Sequence, residues 1–430
     1  MLRTFVLKLA LSAPIAVGCN LVAGCSATSQ PDLPPQTDIG PVAGVRVSLK
    51  THGLPDAFFQ PGADTKCAGH IIGYRFVVWL DGQNVAVGFN TSPNCRPSPD
   101  REVSGTLRIL LFDQNGALKA SRDLPYLADG NGELVADGEG MQGPNGTLLI
   151  RIESVNLDPG RKERNESKSG VRLLDAKLTD VAQLDRFLEQ TTLMDHALVF
   201  QDGFTLSGPR SYSIQDGPGA KKVTHRQIDW PTGTMDRKIG EHGFAFMLCG
   251  QELRPGEYAS TNMVHVGAKF RCALNVLGKD GDAWTYPLAD GETATLVGML
   301  QDGGVVGEVH TRGGNSERLV IWRKNRHSEV LPWLPAQFAG EVDTATQDFS
   351  RYATFASNDV RSCNPLGRVL GMACDDLGDG RWFVFDQRSR SPIVNRAFPK
   401  NGRAALSPDG LHYASFEANE LRIYSLPALK

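Results

Sequence analysis

The 430-residue sequence has almost no long helical periodicity, no surplus of basic charge and no recognisable linear catalytic motif, and each lack excludes something. The near-absence of long helical patterns leaves short strands separated by frequent turns as the expected structure. A formal net charge of -3 gives no global attraction to nucleic acid. There is no C-x-x-C and no Cys/His cluster at ligand spacing, which argues against structural zinc. G-x-S-x-G, H-E-x-x-H and a Walker loop are all missing, and "GPGAKK" at Gly217 lacks the spacing and the Ser/Thr of a phosphate loop. "GEGMQG" (Gly138 to Gly143) satisfies G-x-G-x-x-G, but the β run "TLLIRI" follows it where a dinucleotide site needs a helix, so it reads as a glycine-rich loop between strands. No cofactor is expected.

The first 25 residues carry Arg3 and Lys8 ahead of an apolar stretch too short to span a bilayer comfortably, the layout of a secretory signal. They end in "LVAGC", which resembles the bacterial lipobox and implies a signal peptide over 1–24 and a diacylated Cys25 as the first mature residue. "AVGC", ending at Cys19, lacks the branched apolar residue three places before the cysteine; a cleaved signal without lipid is the other alternative. Ser26 after the cysteine resembles the default outer-membrane sorting pattern, so an outer-membrane location is expected. Removing Arg3 and Lys8 takes Lys+Arg from 45 to 43 against 48 acids, a mature charge of -5. Residues 25–44, with Pro31, Pro34, Pro35 and Pro41 in a polar background, read as a tether able to lift a domain up to about 60 Å. Export favours disulfides. Of the eight cysteines, six remain beyond Cys19 and Cys25, and sequence proximity favours Cys67–Cys95, Cys249–Cys272 and Cys363–Cys374 among the connectivities open to them.

What the chain has in quantity is turn residues and short β runs: Gly 46 and Pro 25 beside many Val, Thr, Phe and Tyr runs. "TLRILLFDQNGALKASRDLP" (from Thr106), "ERLVIWRKNRHSEVLPWLP" (from Glu317) and "RWFVFDQRSRSPIVNRAFP" (from Arg381) share an apolar run, a polar turn, a second run and a closing Pro, the pattern of a hairpin. A second hairpin type precedes them, joined at Asp81-Gly82, Asp302-Gly303 and Asp409-Gly410, dipeptides suited to left-handed turn geometry. Alternating the two gives four-stranded units in series, the blades of a propeller. "ALSPDGLHYASFEANELRIYSL" (Ala405 to Leu426) resembles the WD-like repeat of bacterial propellers of the YVTN/Tol type; the other repeats match it in strand pattern only.

Outer hairpins near 105–125, 171–188, 210–231, 269–288, 317–335 and 381–399, with an incomplete one beginning at Leu421, predict an all-β, seven-bladed propeller over residues 45–430. "DAKLTDVAQLDRFLEQTT" (Asp175 to Thr192) also fits helical spacing at Val181, Leu184 and Leu188, with Thr179-Asp180 as a cap, and a helix there would leave six blades. The last unit has three strands. "VRVSL" (Val45 to Leu49) is the remaining unassigned β run and is predicted to close the ring beside Leu421 to Leu426.

Candidate site residues are few. "DGNGE" (Asp129 to Glu133) and "DDLGDG" (Asp375 to Gly380) space oxygens as a calcium loop opens, yet Asx-Gly is also ordinary turn chemistry, and both read as turns without a metal. Trp79, Trp322 and Trp382 sit inside β runs and read as core. His265 and His310 fall near the ends of predicted inner strands, where a structural histidine is the simpler reading. Residues 158–170 read as a solvated charged loop. The expectation is a binding or scaffolding module for an envelope or extracellular protein, attached to the membrane through its lipid alone. A hydrolase or lyase acting on an envelope polymer, with its site in the central channel, is the alternative.

Overall fold

The structure is a computed structural model that describes residues 38–55, 71–72, 75–91, 94–95, 103–128, 139–143, 146–154, 168–184, 188–191, 198–202, 210–215, 223–228, 234–240, 243–254, 257–259, 270–278, 281–311, 316–335, 338–357, 380–398 and 402–428. All of these lie in one compact unit, Asp38–Lys430. Among the described residues there is no α-helix, and no helix is long and apolar enough to cross a membrane. The strands form six four-stranded sheets, one five-stranded sheet and a two-residue ladder between Ile71–Ile72 and Asn94–Cys95. In chain order the large sheets are sheet 1 (75–128), sheet 2 (139–184), sheet 3 (188–228), sheet 4 (234–287, five strands), sheet 5 (292–331), sheet 6 (339–398) and sheet 7 (403–425 with 45–48).

Every large sheet is an antiparallel meander whose strands follow one another in chain order, apart from the N-terminal strand added to sheet 7 and an extra strand in sheet 4. Consecutive meanders of four strands, packed face against face, match the blades of a β-propeller. Several hairpin turns place a residue in the left-handed region after a tight bend: Gly116, Leu178, Gly281, Gly303, Phe349 and Gly410 all have positive φ. Gly82 does not, although Asp81-Gly82 suggested it; there the Asp81 carboxylate builds the turn by accepting the Gln83 and Asn84 N–H groups at 2.7 and 2.6 Å.

Other expectations are refined. Asp175 to Thr192 takes the β reading and not its helical alternative: Asp180–Leu184 is the outermost strand of sheet 2 and Leu188–Thr191 is the first strand of sheet 3. The reason is local. The Asp175 carboxylate accepts the Lys177 and Thr179 N–H groups, both at 2.8 Å, closing a turn with Leu178 at φ 59, and Asp180 is held by Arg122 and Arg172. The outer hairpin of sheet 2 therefore ends at Leu184, before the expected residue 188. "GEGMQG" is not a loop either: Glu139–Gln142 is the first strand of sheet 2, paired with Leu148–Ser154.

The cores lie between sheets. Trp79, Val87, Phe416 and Ile423 join sheets 1 and 7, and Phe76, Ile109, Leu148 and Leu174 join sheets 1 and 2. Met247, Leu274, Val305 and Trp322 join sheets 4 and 5; Leu319, Tyr352 and Phe383 join 5 and 6; Trp382, Val394 and Tyr413 join 6 and 7. Trp79, Trp322 and Trp382 are all at most 2% exposed, so they are core. The innermost strands are edge strands whose outward N–H and C=O groups need partners. Neighbouring sheets supply them. Asp236 of sheet 4 accepts the Leu296 N–H at 2.5 Å, Glu308 of sheet 5 accepts the Val342 N–H at 2.6 Å, and Thr344 of sheet 6 accepts the Leu406 N–H at 3.2 Å. Trp79 donates its indole N–H to the Ala405 carbonyl and Gln142 its amide to the Leu80 carbonyl, both at 3.1 Å. These ties run through sheets 4, 5, 6, 7, 1 and 2 in order, and register irregularities fall beside three of them, at 234/236, 296/298 and 342/344.

The fourth strand of sheet 7 is Val45–Ser48, antiparallel to Glu420–Ser425 with Val45 opposite Ile423 and Val47 opposite Leu421. The chain is engaged earlier than the tether boundary at residue 44 suggested. Ile39 and Asn395 exchange both backbone hydrogen bonds (2.8 and 2.9 Å), Arg381 pairs with Asp38 at 2.8 Å, and Arg396 donates to the Pro41 carbonyl at 2.9 Å. Beyond the strand, Leu49 is fully buried and the His52 carbonyl accepts from Arg108 of sheet 1 at 3.0 Å. Residues 38–54 thus strap sheets 6, 7 and 1 together.

Candidate functional site at the hub of the sheets

The turns that follow the innermost strands converge at one end of the sheets, and their chemistry repeats. In Ser407–His412 the Ser407 hydroxyl donates to Asp409 (2.6 Å) and accepts the His412 N–H (2.9 Å), while Asp409 accepts the Leu411 N–H (3.0 Å). In Thr346–Arg351 the Thr346 hydroxyl donates to Asp348 (2.8 Å) and accepts the Arg351 N–H (3.0 Å), while Asp348 accepts the Ser350 N–H (3.0 Å). The bonding is the same in both. Gly410 holds the left-handed position in the first (φ 69) and Phe349 in the second (φ 58). The penalty of about 1–2 kcal/mol for a side chain there is offset by complete burial of Phe349, stacked on Tyr352 at 4.8 Å.

Between these turns lies a cavity of about 610 Å³, lined by residues of sheets 1, 2, 6 and 7 that include Asp81, Gln142, Asp175, Gln347, Pro408 and Asp409. A second cavity of about 270 Å³ adjoins it through Gln347, Pro408 and Asp409 and adds Gln301, Asp348 and Ser350. The carboxylates are held in place by their own turns, as described for Asp81, Asp175, Asp348 and Asp409. Burial works against ionisation of Asp348, but the Ser350 N–H and the Ser350 and Thr346 hydroxyls outweigh it and hold its pKa below the usual carboxylate range. Among the described residues lining the two cavities there is no histidine, lysine or cysteine, and the mouth offers fixed carboxylate acceptors, carboxamides and hydroxyls.

Deeper along the innermost strands the electrostatics differ. Asp343, on Ala339–Ala345, accepts the Phe355 N–H at 2.7 Å. Protein packed around the Asp343 carboxyl disfavours its charged form and pushes its pKa up to about 6, against the pull of the Phe355 N–H and of Arg403; Glu341 on the same strand adds to the rise. His310 is half-buried at the end of Val305–Thr311, the second strand of sheet 5, and burial lowers its pKa against the influence of Glu317 and Glu341.

Of the residues singled out from sequence, Cys249 and Cys272 sit directly opposite each other on neighbouring strands of sheet 4, with Cα atoms 4.1 Å apart, and the structure joins them by a disulfide. Cys95 lies in the two-residue ladder opposite Ile71. Cys25, Cys67, Cys363, Cys374, His265 and the turn 129–133 lie outside the described residues, as does most of 375–380 and of 158–170. In the sequence Asp81, Asp302 and Asp409 read as turn residues, and Asp343 and Asp348 do not stand out. The signal that could have found Asp348 is the Thr/Ser-x-Asp spacing shared by "TQDFSR" and "SPDGLH".

Among described residues no group of three or more His, Cys, Asp or Glu is placed to hold a metal ion. The sequence matches no protein-family model and no curated protein. Among solved structures, the chain is similar to the β-propeller domain of the Trilobed protease from Pyrococcus furiosus (11% identity, 83% of this chain and 96% of that one, TM-score 0.43). It is also similar to TolB from Acinetobacter baumannii (10%, 75% and 77%, TM-score 0.34) and to an oligogalacturonate lyase in complex with manganese (13%, 84% and 98%, TM-score 0.38). By its own sheet topology the chain has a β-propeller fold.

Proposed function

We propose that this chain is an exported, lipid-anchored propeller of seven blades, closed at sheet 7 by the strand Val45–Ser48, and that its hub binds a protein of the envelope or the extracellular space. The observation that carries the reading is the polar cavity of about 610 Å³ whose carboxylates are already held by their own turns. Acceptors fixed in this way lose little entropy on binding and complement a partner segment bearing cationic and amide donors. The seven large sheets support a count of seven blades, and the strap that joins sheets 6, 7 and 1 supports closure at sheet 7. The anchor at Cys25 and an outer-membrane location rest on the sequence "LVAGCS".

The test is crosslinking and pull-down from intact envelopes with the wild-type chain and with Asp81→Asn/Asp175→Asn/Asp409→Asn, in which each Asn keeps the turn acceptor and loses the charge. A stoichiometric protein partner captured by the first and lost by the second supports the reading. Equal capture, or no partner at all, overturns it. One observation favours a second reading, a hydrolase or lyase on an envelope polymer: the Asp343 carboxyl, poised near pH 6 beside Glu341 and Arg403. Turnover of isolated envelope polysaccharide or peptidoglycan that disappears in Asp343→Asn would establish it.

A further inference from the structure

Away from the hub, an open cleft of about 670 Å³ separates the outer edges of sheets 4 and 5. One wall is the strand Ala283–Pro287, which contributes Trp284, Thr285 and Tyr286. The other is the outer turn of sheet 5, which contributes Arg323, Asn325, Arg326 and His327. No carboxylate is among the described residues lining the cleft, in a chain whose acids outnumber its bases and whose hub cavities are lined with aspartates.

The aromatic wall is half-finished core. Trp284 and Tyr286 pack against the cluster between sheets 4 and 5, Tyr286 at 6.2 Å from the Trp322 ring, yet both remain half-buried because the turn opposite leaves them partly open. They lie two residues apart on one face of a strand, so their side chains project from backbone positions roughly 7 Å apart, the spacing of alternate residues. The Tyr286 hydroxyl donates to Ser328 at 3.1 Å, which fixes its ring. The cationic wall is fixed as well. Arg323 is held between Asp302 (2.8 Å) and Glu329 (3.2 Å), Lys324 is paired with Asp282, and Asn325 takes the left-handed bend at φ 55, which leaves Arg326 and His327 exposed at the rim.

We infer that this cleft binds an acidic saccharide chain, its successive rings lying on Trp284 and Tyr286 and its carboxylates meeting Arg326 and His327. A sugar ring presents an apolar C–H face that an aromatic side chain covers and a polar rim that hydrogen-bonds, and two platforms side by side suit consecutive rings of an extended chain better than one planar base. A lining with no carboxylate and the exposed Arg326 guanidinium at its rim favours acidic over neutral chains, with guanidinium and carboxylate in their preferred forked geometry. The volume is in the range of small-ligand sites, enough for a few sugar residues.

Isothermal titration of the full-length, detergent-solubilised protein with a mannuronate hexasaccharide tests this, with neutral mannohexaose as the comparison. The expected result is saturable binding of the acidic chain and binding of the neutral one weaker by at least about tenfold, a difference of about 1.4 kcal/mol. Trp284→Ala and, separately, Arg326→Ala/His327→Ala should each weaken the acidic chain by about tenfold, and raising salt from about 50 to about 500 mM should weaken it further. Arg326 and His327 are exposed, so their double variant should melt with the wild type, which keeps loss of binding distinct from loss of fold. Equal binding of the neutral chain, unchanged affinity in the Arg326→Ala/His327→Ala variant, or no heat up to about 10 mM acidic hexasaccharide would each overturn the inference.

Discussion

Arg351 is 1% exposed and its guanidinium is shared among three elements: Asp386 of sheet 6 at 3.4 Å, the Pro427 carbonyl at 2.6 Å and the Gly410 carbonyl in the hub turn of sheet 7. Replacing it with Met keeps most of the volume and removes the charge and every donor. The Asp386 carboxylate, 16% exposed, then loses its cation, and two carbonyls lose donors. Removing one member of a buried pair costs about 3–5 kcal/mol, because the surviving charge stays desolvated. At about 2 °C per kcal/mol for a domain of this size, the melting temperature should fall by roughly 6–10 °C. Thermal unfolding followed by far-ultraviolet circular dichroism measures it, with exposed Arg390→Met as a control expected within about 0.5 kcal/mol of wild type. The double variant Arg351→Met/Asp386→Leu removes both charges and should recover part of the loss. An Arg351→Met protein melting with the wild type would refute the reasoning. So would a double variant less stable than the single one by the full cost of Asp386→Leu alone, since the two side chains would then be uncoupled.

Three further outcomes follow from the same contacts. Glu308→Ala removes the acceptor that ties sheet 5 to the Val342 N–H and should cost about 2–3 kcal/mol in urea unfolding, more than Glu308→Gln, which keeps an acceptor. Gly410→Ala places a Cβ 2.9 Å from Thr346 Cγ2 at φ 69 and should lower the urea midpoint by the equivalent of about 1–2 kcal/mol; an unchanged midpoint would mean the turn relaxes freely. Asp343 binds its proton more tightly in the folded protein, so its contribution to stability is full in acid and is lost as pH rises through about 6; Asp343→Asn should therefore gain on the wild type between pH 4 and pH 8, and a pH-independent difference would count against a raised pKa.

Much of the fold was legible because strands and hairpins are local. The outer hairpins read near 105–125, 317–335 and 381–399 correspond to pairings of Val103–Asp113 with Leu118–Ala128, Ser316–Trp322 with Glu329–Leu331, and Gly380–Asp386 with Val394–Phe398. Where two readings stood open, the competing signal was also local. Helical spacing at Val181, Leu184 and Leu188 is what two short strands on either side of a break can produce by chance, and no period separates the cases over so few residues. "TQDFSR" conceals its likeness to "SPDGLH" because Phe349 stands where turn chemistry asks for Gly, and only burial against Tyr352 makes that tolerable.

By itself, the sequence determined the strand-turn rhythm, the positions of most hairpins and the apolar material for the cores, because these depend on neighbours within about twenty residues. Tertiary structure decided which atoms meet across sheets: Arg351 with Gly410 and Pro427, Glu308 with Val342, Asp38 with Arg381, Trp79 with Ala405. It also gathered the aspartates of separate turns into one cavity and set Trp284 and Tyr286 opposite Arg326 and His327. Such contacts join residues tens to hundreds of positions apart. They are selected by the packing of whole sheets, and no local pattern in the sequence encodes them.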